Sequence, residues 1–254
     1  MSSNHPLRLS SRAAGFLLML TTSLAGLSAL PAAAAGTAES AEEFLQRARN
    51  PNVAATWAKL DGTLQHRRRG SELVTMPVYF GTIIQPDRVT AQLILDNDEV
   101  YIIGQARDNR GASVIPQSNS TAKLDSVGIK ATDLTMGFLY YPLEQELERE
   151  TISGMVECRV MMLTAPDKSE SVKVWLSAEH AFPLRAEFYL PGEKTPQRTL
   201  ETGGFTRRND LYYVRTIRAE GPGWRTRIEF DVDRAELGLF DPAAPAQIIR
   251  KAKP

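Results

Sequence analysis

The chain has 254 residues, with 30 basic and 30 acidic side chains, three histidines and one cysteine. A formal net charge of zero gives no support to a nucleic-acid polyanion as a global partner. A single cysteine excludes an internal disulfide, and so few histidines argue against a zinc or copper centre.

The chain opens with a basic stretch carrying Arg8 and Arg12, and no acidic residue precedes Glu39. Residues 13–30 are apolar and uncharged, and Pro31 leads into the small residues Ala32 to Ala35. Basic, then apolar, then small is the order of a secretory signal, with cleavage expected after Ala35. Thr21, Thr22, Ser23 and Ser28 dilute the apolar run and weaken the alternative of a membrane anchor. No cysteine stands at the cleavage position to carry acyl chains, and Arg8 and Arg12 are not adjacent as a twin-arginine signal requires. The expected location is therefore the periplasm, with residues 1–35 removed. Losing Arg8 and Arg12 takes the 30 basic residues to 28, against 30 acidic.

Residues 40–58 are expected to form a helix. Ser40 caps it, Glu42 and Glu43 occupy its first turn, and Phe44, Leu45 and Ala48 make an apolar face. Asn50-Pro51 interrupts it, and a short second helix is expected over 53–60. From there the chain alternates with period two. The expected strands are 60–68, 72–84, 88–95, 99–105, 143–151, 154–164, 171–177, 184–189, 197–207, 211–219 and 224–232. Turn residues such as Gln85-Pro86-Asp87, Asp96-Asn97-Asp98, Ser153-Gly154 and Pro191-Gly192 separate them. Short connections favour antiparallel neighbours, and about ten strands cannot stay flat. The fold class is mainly β with a few helices (α+β), organised as one domain over 36–244. Residues 109–126, rich in Gly, Ser, Asn and Gln, read as a long loop. Residues 131–140 read as a helix, with Thr132 and Asp133 at its start and Leu134, Phe138 and Leu139 on one side. Residues 234–240 read as a helical turn, and 245–254 as a mobile basic tail.

Chemical motifs are scarce. There is no phosphate-binding glycine loop, no HExxH, no CxxC and no G-x-S-x-G elbow. His180 lies in a turn. Cys158 has no histidine near it in sequence and reads as a buried small side chain. Glu144, Glu146, Glu148 and Glu150 share one parity, which on a regular strand puts all four on one solvated face. The run His66-Arg67-Arg68-Arg69 reads as a solvated strand end, with an anionic lipid headgroup or an acidic protein as the functional alternative. What remains is a set of apolar strand faces. They carry Leu93, Met161, Phe188, Ile228 and Phe230, and either pack as an ordinary core or surround an apolar cavity.

Several stretches resemble the outer-membrane lipoprotein-sorting (LolA-like) family of periplasmic proteins. They are Asp133-Leu134 with Tyr140-Tyr141, Gly154 to Leu163 with Cys158 inside it, the strand around Trp175, and Phe182-Pro183-Leu184 leading to Phe188-Tyr189. The resemblance implies a curved antiparallel half-barrel whose helices close an apolar cavity. It also implies a non-enzymatic carrier that holds lipoprotein acyl chains or another lipid, with no cofactor and no metal. The candidate cavity residues are Leu93, Leu134, Phe138, Met161, Trp175, Phe188, Ile228 and Phe230. An inner-membrane exporter and an outer-membrane acceptor are the implied partners, and the helix near Leu134 to Leu139 is the implied gate. The alternative on the same fold is a protein-binding sensor of the cell envelope.

Overall fold

The computed structural model describes residues 39–50, 55–106, 112–116, 124, 126–209, 211–241 and 248–250. The expected signal segment, part of the long loop and the last four residues lie outside the described residues. From Glu39 onward the chain forms one compact unit.

Helix α1 (Ala41–Arg49) begins with a reciprocal cap. The Glu43 amide donates to Ser40 Oγ (3.3 Å) and the Ser40 amide donates to Glu43 Oε2 (2.8 Å), satisfying two otherwise orphaned donors. The helix buries Phe44 and Leu45 completely. The second helix expected over 53–60 is not formed from Thr56 onward, because Thr56 already belongs to strand β1 (Thr56–Arg68). This stretch pairs on one side with β2 (Val74–Ile84) and on the other with β13 (Glu236–Leu239). Two ladders of backbone hydrogen bonds override a weak helical preference.

The other strands are β3 (Arg88–Leu95), β4 (Glu99–Ala106), β5 (Ala112–Pro116), β6 (Leu143–Ile152), β7 (Val156–Thr164), β8 (Ser171–Ser177), β9 (Pro183–Tyr189), β10 (Arg198–Arg208), β11 (Leu211–Gly221) and β12 (Trp224–Phe230). Among the described residues, thirteen strands form one antiparallel sheet, in the order β5-β4-β3-β2-β1-β12-β11-β10-β9-β8-β7-β6, with β13 beside β1. The count exceeds the expected ten partly because β5 emerges inside the long loop and β13 replaces the expected helical turn. Each gains a partner strand that its own sequence does not announce. The tight turns follow the sequence. Asp96 and Asn97 both take positive φ (51° and 64°), as do Ser153 and Gly154 (54° and 68°), and each pair is the centre of a tight turn closed by the Asp98 amide on the Leu95 carbonyl or the Met155 amide on the Ile152 carbonyl (3.2 Å each).

The expected helix over 131–140 is split. Helix α2 (Ala131–Leu134) ends at Thr135, and a 3₁₀ turn (Gly137–Tyr140) follows. Between them Met136 sits in the left-handed region at φ 55°, a conformation that a side chain bearing Cβ adopts only at a cost.

The sheet is not flat. β4 and β10 are six strands apart in its order, about 29 Å at the usual spacing. Nevertheless Gln105 of β4 and Arg198 of β10 line one small cavity. The sheet therefore curls, and alternate side chains point to an inner and an outer face.

The inner face carries one large apolar cluster with members from β1 to β4 and β7 to β13, joined by Phe44, Leu45, Val127, Ile129 and the α2–3₁₀ segment. The outer face has a much smaller cluster of Cys158, Val160 and Trp175. The segment Ile248–Arg250, expected to be part of a mobile tail, is held on the outer face. Ile248 is buried, and its carbonyl accepts from Tyr79 Oη (2.5 Å). Gln92 exchanges two hydrogen bonds with the Arg250 backbone, both 2.8 Å. Gly81 permits the approach, since a Cβ there would stand 2.7 Å from the Ile248 oxygen.

The four-glutamate row does not share one face. β-bulges in β6 between Leu143 and Gln145 and between Leu147 and Glu150 shift its register. Each bulge inserts a residue and reverses the parity of the residues beyond it. Glu146 pairs with Arg159 (2.6 Å) beside inner-face Met161, whereas Glu150 accepts from Trp175 Nε1 and Lys173 Nζ (2.8 Å each) on the outer face.

Candidate functional site

The cap over the inner face is built by the α2–3₁₀ segment and its flanks. Leu134, Phe138, Leu139 and Tyr140 point into the core and are buried. Polar contacts tie down the rim. Arg49 of α1 donates from Nε to the Leu139 carbonyl (2.7 Å) and from Nη2 to the Tyr141 carbonyl (2.8 Å). The two carbonyls lie at the C-terminal end of the 3₁₀ turn and just beyond it, where no further helical amide follows to meet them. Lys130 Nζ pairs with Glu170 (3.0 Å), and Tyr141 Oη donates to the same carboxylate (2.9 Å). Burial and the Glu170 charge together hold the Tyr141 hydroxyl well above its ordinary pKa, so it stays a donor.

The centre of this rim is an ion pair between Asp133 of α2 and Arg198 of β10, with side-chain exposures of 2% and 9%. Asp133 also accepts from the Lys130 amide (2.8 Å). The Arg198 guanidinium lies 3.9 Å from the centre of the Phe188 ring. Phe188 in turn meets Phe138 edge-on at 5.5 Å. One strand side chain therefore grips the cap by charge while its neighbour grips it by ring packing.

Under the cap lies a cavity of about 160 Å³. Its walls are aromatic at Phe138, Phe188 and Tyr140, and polar at Gln105, Asp133 and Arg198. Two buried polar atoms here have no hydrogen-bond partner among the described residues: Arg198 Nη2 and Gln105 Oε1. Gly137 makes room for Gln105, since a Cβ there would stand 2.8 Å from that oxygen. A second, larger hollow of about 550 Å³ on the other side is an open polar groove. Arg215 and Arg227 both pair with Glu229 there (2.7 and 2.6 Å).

Of the eight candidate residues, Leu93, Leu134, Phe138, Met161, Phe188, Ile228 and Phe230 join the single inner cluster. Only Phe138 and Phe188 also line the cavity. Trp175 lies apart from them. Its parity on β8 is opposite to that of Val172, Val174 and Leu176, and it packs against Cys158 on the outer face. Cys158 is fully buried, and burial pushes its thiol above the ordinary range. Among the described residues no group of three His, Cys, Asp or Glu side chains could hold a metal ion.

Gln105, Arg198 and Arg49 were not singled out from the sequence. A signal does exist for two of them. Gln105 has the parity of the buried Tyr101 and Ile103, and Arg198 that of the buried Leu200. A polar side chain on the apolar side of a strand must find a partner or cost stability. The partner of Arg198, Asp133, however, lies 65 positions away in the chain.

No protein-family model matches the chain, and no curated protein matches it. Solved structures do. A DUF1329 family protein from Desulfovibrio piger superposes with a TM-score of 0.62 at 14% identity, over 82% of this chain and 97% of that one. A domain assigned to outer membrane lipoprotein sorting from Vibrio parahaemolyticus gives 0.59 at 17% identity, over 78% and 92%. A LolA superfamily protein from Nitrosomonas europaea gives 0.46 at 15%, over 82% and 95%. At such identities the likeness is one of fold, and the chain shares its fold with the DUF1329 and lipoprotein-sorting structures.

Proposed function

We propose that this chain is exported to the periplasm, loses residues 1–35, and acts as a non-enzymatic carrier. It holds the acyl chain of a lipoprotein or another lipid against the inner face of the curled sheet, which serves as a half-barrel cradle. The α2–3₁₀ segment is the gate, and partners at the inner and outer membranes load and accept the cargo.

The observation that carries this reading is the construction of the cap. Apolar side chains of the cap cover an apolar sheet face, while its rim is held by separable polar contacts to Arg49, Arg198 and Glu170. A cavity of about 160 Å³ is below the 300–1,000 Å³ common for ligand pockets, so a chain enters only as the cap lifts. Acyl burial is worth roughly 0.8 kcal/mol per CH₂, so about eight methylenes return on the order of 6 kcal/mol. No nucleophile or metal is needed for such work. The shared fold with a lipoprotein-sorting domain supports the same reading.

Native mass spectrometry of the mature protein taken from the periplasm, followed by lipid extraction, tests it. A bound acyl species displaced by a fluorescent fatty acid is the expected result. A clean apo mass with no binding at micromolar probe overturns the carrier and favours the protein-binding sensor.

A further inference from the structure

We propose that the cavity beneath the cap is a headgroup site that selects an amide-linked acyl chain over a free fatty acid or an ester. This inference rests on the carrier reading and specifies its cargo.

It starts from the two unpartnered atoms. Arg198 is 8% exposed and Gln105 1% exposed, and both line the cavity. Arg198 commits Nη1 to Asp133, which leaves the buried Nη2 with a hydrogen to give. Gln105 is fixed in the opposite sense. Its Nε2 donates to the Ala106 carbonyl (3.0 Å), and only the nitrogen end of the amide can do so. The end left without a partner is therefore the oxygen, Oε1, which can only accept. The polar wall of the cavity thus holds one unpaired donor and one unpaired acceptor, both closed to water in this state, between aromatic walls.

A group that satisfies both must accept and donate from neighbouring atoms. A carboxamide does so, with its carbonyl toward Arg198 and its N–H toward Gln105. An ester accepts only and leaves Oε1 bare. A carboxylate sets its lone pairs against Oε1 and adds negative charge beside Asp133 and Glu170, which also line the cavity. Those two acids are already balanced by Arg198 and Lys130, so the site calls for a neutral polar group. The size agrees: about 160 Å³ suits a headgroup and the first carbons. Leaving a buried polar atom unpaired costs on the order of 5- to 150-fold in binding, which sets the selectivity.

The test compares octanamide, octanoate, methyl octanoate and 1-octanol by calorimetry on the wild-type protein and on Gln105→Met. That substitution removes an unpaired buried acceptor together with the Nε2 bond to the Ala106 carbonyl, and a thermal melt of the free variant checks that the fold is kept. Octanamide is expected to bind at least about tenfold more tightly than the other three, and Gln105→Met is expected to erase its advantage over the ester. Equal binding of all four, octanol matching the amide, or a preference that survives Gln105→Met overturns the amide site and leaves the carrier standing. Binding of none of the four overturns both, and assigns the cavity to water.

Discussion

The two faces of the sheet are made by the same strands yet hold together differently. On the inner face, residues such as Leu93, Leu163, Val174 and Ile228 are almost fully removed from water and form one cluster with α1 and the cap. On the outer face, Trp175 lies between Lys173 and Arg185, 4.4 and 5.3 Å from its ring, with its indole N–H on Glu150. The inner face depends on area and packing, which no single polar contact can replace. The outer face depends on many exposed charged contacts, each of small effect. The rim between them, where Asp133 meets Arg198, combines charge with burial, and there single side chains matter most.

The rim therefore gives the largest expected effect. Asp133→Ala leaves the Arg198 guanidinium buried without its counter-ion, at a cost of about 3–5 kcal/mol. Chemical denaturation should show that loss, and Asp133→Ala combined with Arg198→Met should recover part of it. If the single variant is as stable as wild type, the cap is not anchored by this pair.

Next comes the contrast between the faces. Leu163→Ala on the inner face should cost about 2–5 kcal/mol through lost burial and the cavity left behind. Glu150→Gln on the outer face, at a carboxylate with 47% side-chain exposure, should cost less than about 1 kcal/mol. Similar midpoint shifts for the two would contradict the division of labour.

The smallest effect is a pH dependence. Thr226 Oγ1 gives its hydrogen to the Val127 carbonyl, so His66 Nδ1 must be the donor toward Thr226 (2.8 Å). His66 Nε2 is then a buried lone pair without a partner among the described residues. Burial, and next the charge of Arg68, holds the His66 pKa below 6.5. The unfolded chain takes up this proton first, so stability is full above pH 6.5 and falls as pH drops through the lowered value. Glu146 and Glu150 are also held below 4.5, chiefly by hydrogen bonds from Arg159 and Lys173. Their contribution is lost only at more acid pH. Thermal melts should decline first below pH 6.5 and again below 4.5, with His66→Gln removing the first step alone. A first step unchanged in that variant would place its origin elsewhere.

What the sequence determines by itself is what short range can encode. Ser40 with Glu43 fixes the start of α1, Asp96-Asn97 and Ser153-Gly154 fix hairpin turns, and period-two alternation marks the strands, because caps, turn dihedrals and strand parity depend on near neighbours. It also marks seven of the eight apolar candidates that meet on the inner face. Trp175 lies on the outer face, since an alternation says that two faces exist and not which is inside. The helix start at Asp133 was legible, but its partner was not. Tertiary structure alone decided that β5 and β13 find strands to pair with, that the bulges of β6 part Glu146 from Glu150, and that Gln105 and Arg198, 93 positions apart, line one cavity. Those outcomes depend on how far a long sheet curls, and curl is a sum of small twists and bulges spread over many strands.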